Sequence, residues 1–346
     1  MISRARLIDV ARECGVSKAT VSRILNDPGE RDPFNKVTRR RVVETARRLG
    51  YQPSHRARAF ARGRSEAIGV LYGGALPTVG HVYESFFASF VEEVHRRACH
   101  LAFLPARYAM EDWDRLVLPE RVDALVAVEA VDPECVVRAE RAGLPLVTCN
   151  ADPSAEHDSV VFDDYQGACL ATQHLLDLGH RDIRFWLVDS GHYSVEQRCR
   201  GFADTMARAG VDVGGERVFR TENTQALPFV ERCLACRPRP TGLLVYNHYQ
   251  AVEVLKVLHG RGVRVPREMS VVTFNDAYPC EHVIPPLTTV HLPFDRMGRI
   301  AAEMVFRKID DRDSRCERVV LPERLVVRES SAAASAVRSE EASDEE

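Results

Sequence analysis

No stretch of about 18 or more uncharged apolar residues occurs in the sequence, so no membrane-spanning helix is expected. The N-terminal MISRARLIDVARECG lacks a long apolar run after its basic residues, which argues against a signal peptide or anchor and for a cytoplasmic protein. Phosphate and dinucleotide loops of the GxxxxGK and GxGxxG types are missing, as is the GxSxG nucleophile turn; VLYGGALPTVG has glycines at the wrong spacing. Ten cysteines are scattered along the chain, and the single CxxC, Cys233 to Cys236, has no second pair. They read as reduced, mostly buried thiols, with no metal site. His180 and His248 have no evident catalytic partners. An enzyme is therefore not expected, nor is a cofactor. Net charge is nearly absent too, at −3, and by itself decides nothing.

What is present is an uneven distribution of that charge. Residues 1–64 carry 16 Lys and Arg against 6 Asp and Glu, and the remainder 31 against 44. A basic head on an acidic body is the pattern of a nucleic-acid-binding module fused to a larger domain. Within the head, LIDVAREC reads as a short helix with Leu7, Val10 and Ala11 on one face, and Gly15 stops it. Ser17 is placed to cap a second helix, KATVSRILN, whose Val21, Ile24 and Leu25 recur at helical spacing. A third, strongly basic helix is expected from Thr38 to Leu49, ended by Gly50. Two helices across a tight glycine turn, braced by a third, make a helix-turn-helix unit.

LIDVARECGVSKATVSRILN, VTRRRVVETARRLGYQPS and Ile68–Val70 together resemble the LacI family of transcription regulators, and the spacing from Pro53 to Ile68 fits that family without a gap. The resemblance continues to about residue 330 through VFDDYQGA, HLLDLGHRDI, RCRGF, VPREMSVVTFND and PPLTTV. Independently, residues after Val70 alternate strand-length apolar runs (IGVLY, HLAFLP, ALVAV, LPLVTCN, IRFWLV, GLLVYN, MSVVTFN) with helical segments, the pattern of parallel sheets covered by helices. The expected architecture is an all-α helix-turn-helix head (1–52), a hinge helix and linker (53–65) and an α/β two-lobed core of the periplasmic-binding-protein type (66–330). By analogy the lobes are 66–161 with 293–320, and 162–292 with 321–330. The acidic tail, 331–346, is polar and expected to be disordered.

The resemblance implies roles for particular residues. Lys18, Ala19 and Arg23 would face base edges in the major groove, and Ser17, Thr20, Ser22 and Asn26 the phosphates. Pro53 to Phe60 matches the hinge helix, which pairs with its dimer mate in the minor groove, so Arg56, Ala57 and Phe60 join the DNA-contacting set. The family usually has leucine where Phe60 stands, and phenylalanine is a larger wedge for the same purpose. The loop between the second and third helices is three residues longer than usual.

Effector contacts map onto Tyr83, Asn150, Phe162, Ser194, Arg198, Asn247, His248 and Asn275, most of them just after strands, where paired α/β lobes bind ligands. The family often has Asp at the positions of Asn150, Asn275 and His248. With Arg198 retained and those carboxylates gone, an anionic effector such as a sugar acid or sugar phosphate is expected, with a neutral sugar or nucleobase as the alternative. The expected partners are palindromic operator DNA, a small carbohydrate-derived effector and a second copy of the chain, and the expected action is repression. A solute-binding protein is the rival of a different class. It needs export and no helix-turn-helix.

Overall fold

The structure, a computed structural model, describes residues 5–26, 34–51, 64–72, 82–105, 113, 117, 121–129, 133–151, 157–214 and 216–334. The head is built from α1 (Leu7–Cys14), α2 (Lys18–Asn26) and α3 (Lys36–Arg48). Gly15 ends α1 with φ 63°, a left-handed conformation that glycine adopts without strain. The Ser17 hydroxyl accepts the Thr20 backbone N–H at 3.0 Å, capping α2. α3 starts two residues earlier than Thr38, because the Asn35 side chain accepts the Val37 N–H at 2.9 Å and caps it there. Val10, Ala11, Cys14, Val21, Ile24, Val42 and Ala46 close a small core between the three helices.

The rest of the chain folds around two six-stranded sheets. In the first, β1 (Ala67–Tyr72), β2 (His100–Pro105), β3 (Ala124–Val128), β4 (Leu146–Cys149) and β5 (Asp158–Phe162) are parallel in the order β2-β1-β3-β4-β5, with β11 (Arg318–Leu321) parallel on the β5 edge. In the second, β6 (Ile183–Val188), β7 (Val218–Thr221), β8 (Gly242–Val245), β9 (Ser270–Phe274) and β10 (Thr288–His291) repeat that order as β7-β6-β8-β9-β10, and β12 (Arg324–Val326) adds an antiparallel edge. Their middle strands, such as ALVAV and SVVTF, are buried at every residue, as strands covered on both faces must be. α4 (Glu84–Arg96), α5 (Pro133–Arg141) and α10 (Phe294–Asp310) accompany the first sheet. α6 (Asp164–Asp177), α7 (Tyr193–Arg208), α8 (Ala226–Ala235) and α9 (His248–Gly260) accompany the second.

The chain passes between the lobes three times, at Phe162–Asp164, His291–Phe294 and Leu321–Arg324. Every parallel strand of both sheets therefore ends toward the gap between them, and the loops after those ends can line one site.

One expectation needs correcting. Ser331–Ala334, placed in a disordered tail from the sequence, are fixed. The Ala332 carbonyl accepts from the buried His180 ring at 2.9 Å, the Ser331 hydroxyl meets His174 Nε2 at 2.9 Å, and the Ala334 N–H donates to the Leu178 carbonyl. Small residues read as a tail, but here they meet the ring nitrogens of the buried His180 and the half-buried His174. Among the described residues no helix is long and apolar enough to cross a membrane.

Candidate functional site: a reading helix and an interlobe cavity

On α2 the buried residues Val21 and Ile24 turn one face inward, which leaves Ser17, Lys18, Ala19 and Arg23 exposed and Thr20 and Ser22 half-buried. Asn26 ends the helix. Thus the basic side chains of α2 project from a rigid surface without acidic partners on the helix itself. Arg56, Ala57 and Phe60 lie outside the described residues, as does most of the longer loop.

Between the lobes is a cavity of about 390 Å³. Val82, Tyr83, Glu129, Asn150 and Phe294 line it from one side, and Ser190, His192, Ser194, Arg198, Tyr246, Asn247, Tyr249, Asn275 and Leu292 from the other. Six of the eight residues matched from the sequence thus meet here: Tyr83, Asn150, Ser194, Arg198, Asn247 and Asn275. Phe162 and His248 do not line it. Phe162 is buried against the Phe294 ring, with centroids 4.7 Å apart, and borders a smaller recess on the far side of the first crossover. His248 is fully buried at the start of α9, where the Asn247 side chain caps the helix. Tyr246 and Asn247, after β8, line the gap, while His248, the next residue, turns into its own lobe.

Strand ends fix the polar groups. Glu129, Asn150 and Asn275 all follow strands in left-handed conformations, with φ of 66°, 52° and 68°. Non-glycine residues adopt such angles rarely and at an energetic cost, which their surroundings must hold in place. The Asn150 amide donates to the Tyr83 hydroxyl at 2.7 Å, and that hydroxyl is bonded to the Glu129 carboxyl. Burial raises the Glu129 pKa, and the hydrogen bond from Tyr83 offsets only part of that rise.

A second chain of hydrogen bonds spans the gap. The Tyr246 hydroxyl meets Ser194 Oγ at 2.9 Å, and Ser194 Oγ meets His192 Nδ1 at 2.7 Å. Since His192 Nδ1 also accepts the Ser194 N–H, its Nε2 carries the proton and donates to the Asn150 carbonyl at 2.7 Å. Burial lowers the His192 pKa, which keeps that ring neutral.

Arg198 is not free to grip an anion. Its side chain is 4% exposed; Nε donates to Asp164 Oδ1 at 2.8 Å and Nη1 to the Tyr246 carbonyl at 2.7 Å. Its guanidinium also lies over the rings of Tyr246 and Phe274. Burial opposes its charge, but Asp164, then Tyr246 and Glu323, turn the pKa upward. With Arg198 already paired and Glu129 in the lining, the cavity has a different charge balance from the one expected from the sequence, and the expected anionic effector loses its support. Glu129 was legible as an acidic residue directly after the apolar run ALVAV. His192, Tyr246, Tyr249 and Phe294 gave no signal that separates them from ordinary loop and helix residues.

Residues 6–54 match the model of the bacterial regulatory proteins of the lacI family, and residues 172–331 that of a periplasmic binding protein-like domain. The transcriptional regulator GalR of Salmonella typhimurium is 30% identical over 311 residues, 87% of this chain and 88% of that protein. The chain belongs to the LacI family. The transcriptional repressor PurR of Photobacterium profundum is 27% identical over 94% of this chain and 98% of its own length. Among solved structures, a lac repressor dimer bound to operator and the anti-inducer ONPF matches with a TM-score of 0.82 at 22% identity, covering 96% of this chain and all of that one. A complex of the regulator CelR with cellobiose matches with 0.70 at 23%, over 94% of this chain and all of that one. This LacI-family chain is accordingly a DNA-binding transcription regulator with a helix-turn-helix head and a two-lobed, effector-binding core.

Proposed function

We propose that the chain is a repressor that binds a palindromic operator as a homodimer and is controlled by a small ligand held between its lobes. The observation that carries the DNA-binding half is the exposed face of α2. Lys18 and Arg23 are donors suited to guanine O6 and N7, and Ala19 leaves room for a thymine methyl. Ser17, Thr20, Ser22 and Asn26 suit phosphates, and Arg56, Ala57 and Phe60 the minor groove between two hinge segments. Two-fold pairing is favoured because one head offers too few contacts for a specific site.

For the ligand, the three asparagine amides, one carboxyl and several tyrosines among the described lining residues favour a compact molecule rich in hydroxyls and carrying no negative charge. That revises the sugar acid or phosphate expected from the sequence. A ligand of this kind controls DNA affinity only through different affinity for two arrangements of the lobes. Selection of bound duplexes from a random pool with the full chain tests the reading. An enriched inverted repeat, lost with Arg23→Ala, is the expected result. Enrichment of no sequence would sink it.

A further inference from the structure

The cavity contains one acidic group whose charge nothing described there answers. Arg198 is the only Lys or Arg among the described lining residues, and Asp164 already pairs with it. His192, the other basic side chain of the lining, is held neutral by burial. Glu129 sits on a strand end in a left-handed backbone, bonded to Tyr83. It is close enough to Tyr72 and Tyr83 that its charge, after burial, raises both phenol pKa values. The residues that share its cavity include four aromatic side chains, Tyr83, Tyr246, Tyr249 and Phe294. A desolvated carboxyl beside aromatic rings is a poor place for an anion and a favourable one for an ammonium, which the carboxylate and the ring faces both attract. The asparagines supply donors and acceptors for hydroxyls around it.

We infer that Glu129 selects a cationic ligand, an amino sugar or a similar aminated polyol, whose ammonium pairs with the Glu129 carboxylate in the cavity. The inference rests on the reading of the cavity as the effector site and names the chemical class that the site takes. A bare hydroxyl at the same place would leave the carboxylate without a counter-charge. A sugar acid or phosphate would add a second anion to it.

The test is calorimetric titration of the full-length chain with D-glucosamine, D-galactosamine and D-mannosamine, each beside its neutral hexose and its uronic acid, in wild type and Glu129→Gln. The Gln variant keeps the shape and the hydrogen bonding and removes only the charge; Glu129→Asn, which tolerates a left-handed backbone well, is the second variant. An amine that binds at least about tenfold tighter than its neutral parent, with that preference lost in both variants, supports the inference; tenfold corresponds to about 1.4 kcal/mol. Equal or tighter binding of the neutral hexose, a preference for the uronic acid, or no binding of any amine overturns it. Operator selection on the same preparation keeps the two readings apart. A chain that enriches an inverted repeat yet rejects every amine remains a regulator with a different ligand. One that binds an amine but selects no DNA has lost the regulator reading alone.

Discussion

The recognition helix and the interlobe cavity use polar residues in opposite ways. On α2 the basic side chains of Lys18 and Arg23 stand exposed on a helix whose apolar face fixes its position, so an incoming partner can reach them. In the cavity nearly every polar group already has a protein partner: Asn150 with Tyr83, Ser194 with Tyr246, His192 with Asn150, Arg198 with Asp164. A residue's type therefore predicts its function on the first surface. In the cavity the partner matters more than the type, since a paired arginine offers a ligand much less charge than an unpaired one.

The sharpest way to break that comparison is to undo a cavity pairing. Asp164→Ala leaves the Arg198 guanidinium buried without its paired carboxylate, and removing one partner of a buried pair costs roughly 3–5 kcal/mol. Urea unfolding of the variant should show a loss of that size, with the head's DNA affinity affected only through the unfolded fraction. A loss under about 1 kcal/mol, typical of exposed pairs, would mean that Arg198 is effectively solvated and the contrast false.

Next to that pair lies Glu323, 4% exposed on the third crossover. Gly167 makes room for it, because a Cβ there would collide with the Glu323 carboxyl. Burial, then the Asp164 charge, raises its pKa well above the usual value, with Arg198 opposing and Asp163 adding to the rise. The folded state thus holds a proton that the unfolded chain releases above its ordinary pKa near 4.3. Stability from this group is complete below that pH and declines as pH rises toward the folded-state value. Glu323→Gln should lessen the decline, seen as urea midpoints that fall less between mildly acid and alkaline pH than in wild type. Parallel slopes in the two proteins would show that the carboxyl is solvated.

On the other side of the comparison, Arg23→Ala should cost about 1–3 kcal/mol of operator affinity if the side chain reads a base, and relax sequence preference at one position. Core stability should not change. A uniform loss across all sequences, with a shallower salt dependence, would instead make Arg23 a phosphate contact.

How much of this was legible in the sequence follows from the same contrast. The seven long apolar runs appear as β1–β4, β6, β8 and β9; all but the edge strand β2 are interior strands of their sheets, and a strand covered on both faces leaves a continuous apolar signature. VFRT, RVVL and RLV, at β7, β11 and β12, were not singled out. They are short edge strands, half-exposed and mixed in character, and only sheet pairing defines them. In the cavity, Asn150 and Asn275, polar residues directly after strands, were found. Glu129 and Tyr246 stand directly after strands too and were missed, as was His192, whose role depends on Asn150 in the other lobe. Asp164 lay in plain view within VFDDYQGA. Nothing local shows that it faces Arg198, 34 residues on.

Ser17 offers the finest division between the two regimes, because it sits on the reading face yet has an internal task. Its oxygen accepts the Thr20 N–H at 3.0 Å and lies 2.9 Å from the Thr20 hydroxyl, so α2 is held partly by a residue also proposed to touch phosphate. Ser17→Ala removes both functions and should cost about 1 kcal/mol of head stability together with some DNA affinity. Ser17→Asp separates them. Aspartate caps a helix as well as serine and its charge suits the N-terminus, so thermal stability should hold or rise. The same charge beside a phosphate is repulsive, so operator affinity should drop below that of the Ala variant. If instead the Asp variant binds DNA as wild type does, Ser17 faces no phosphate, and this residue belongs with the internally committed groups of the cavity rather than with Lys18 and Arg23.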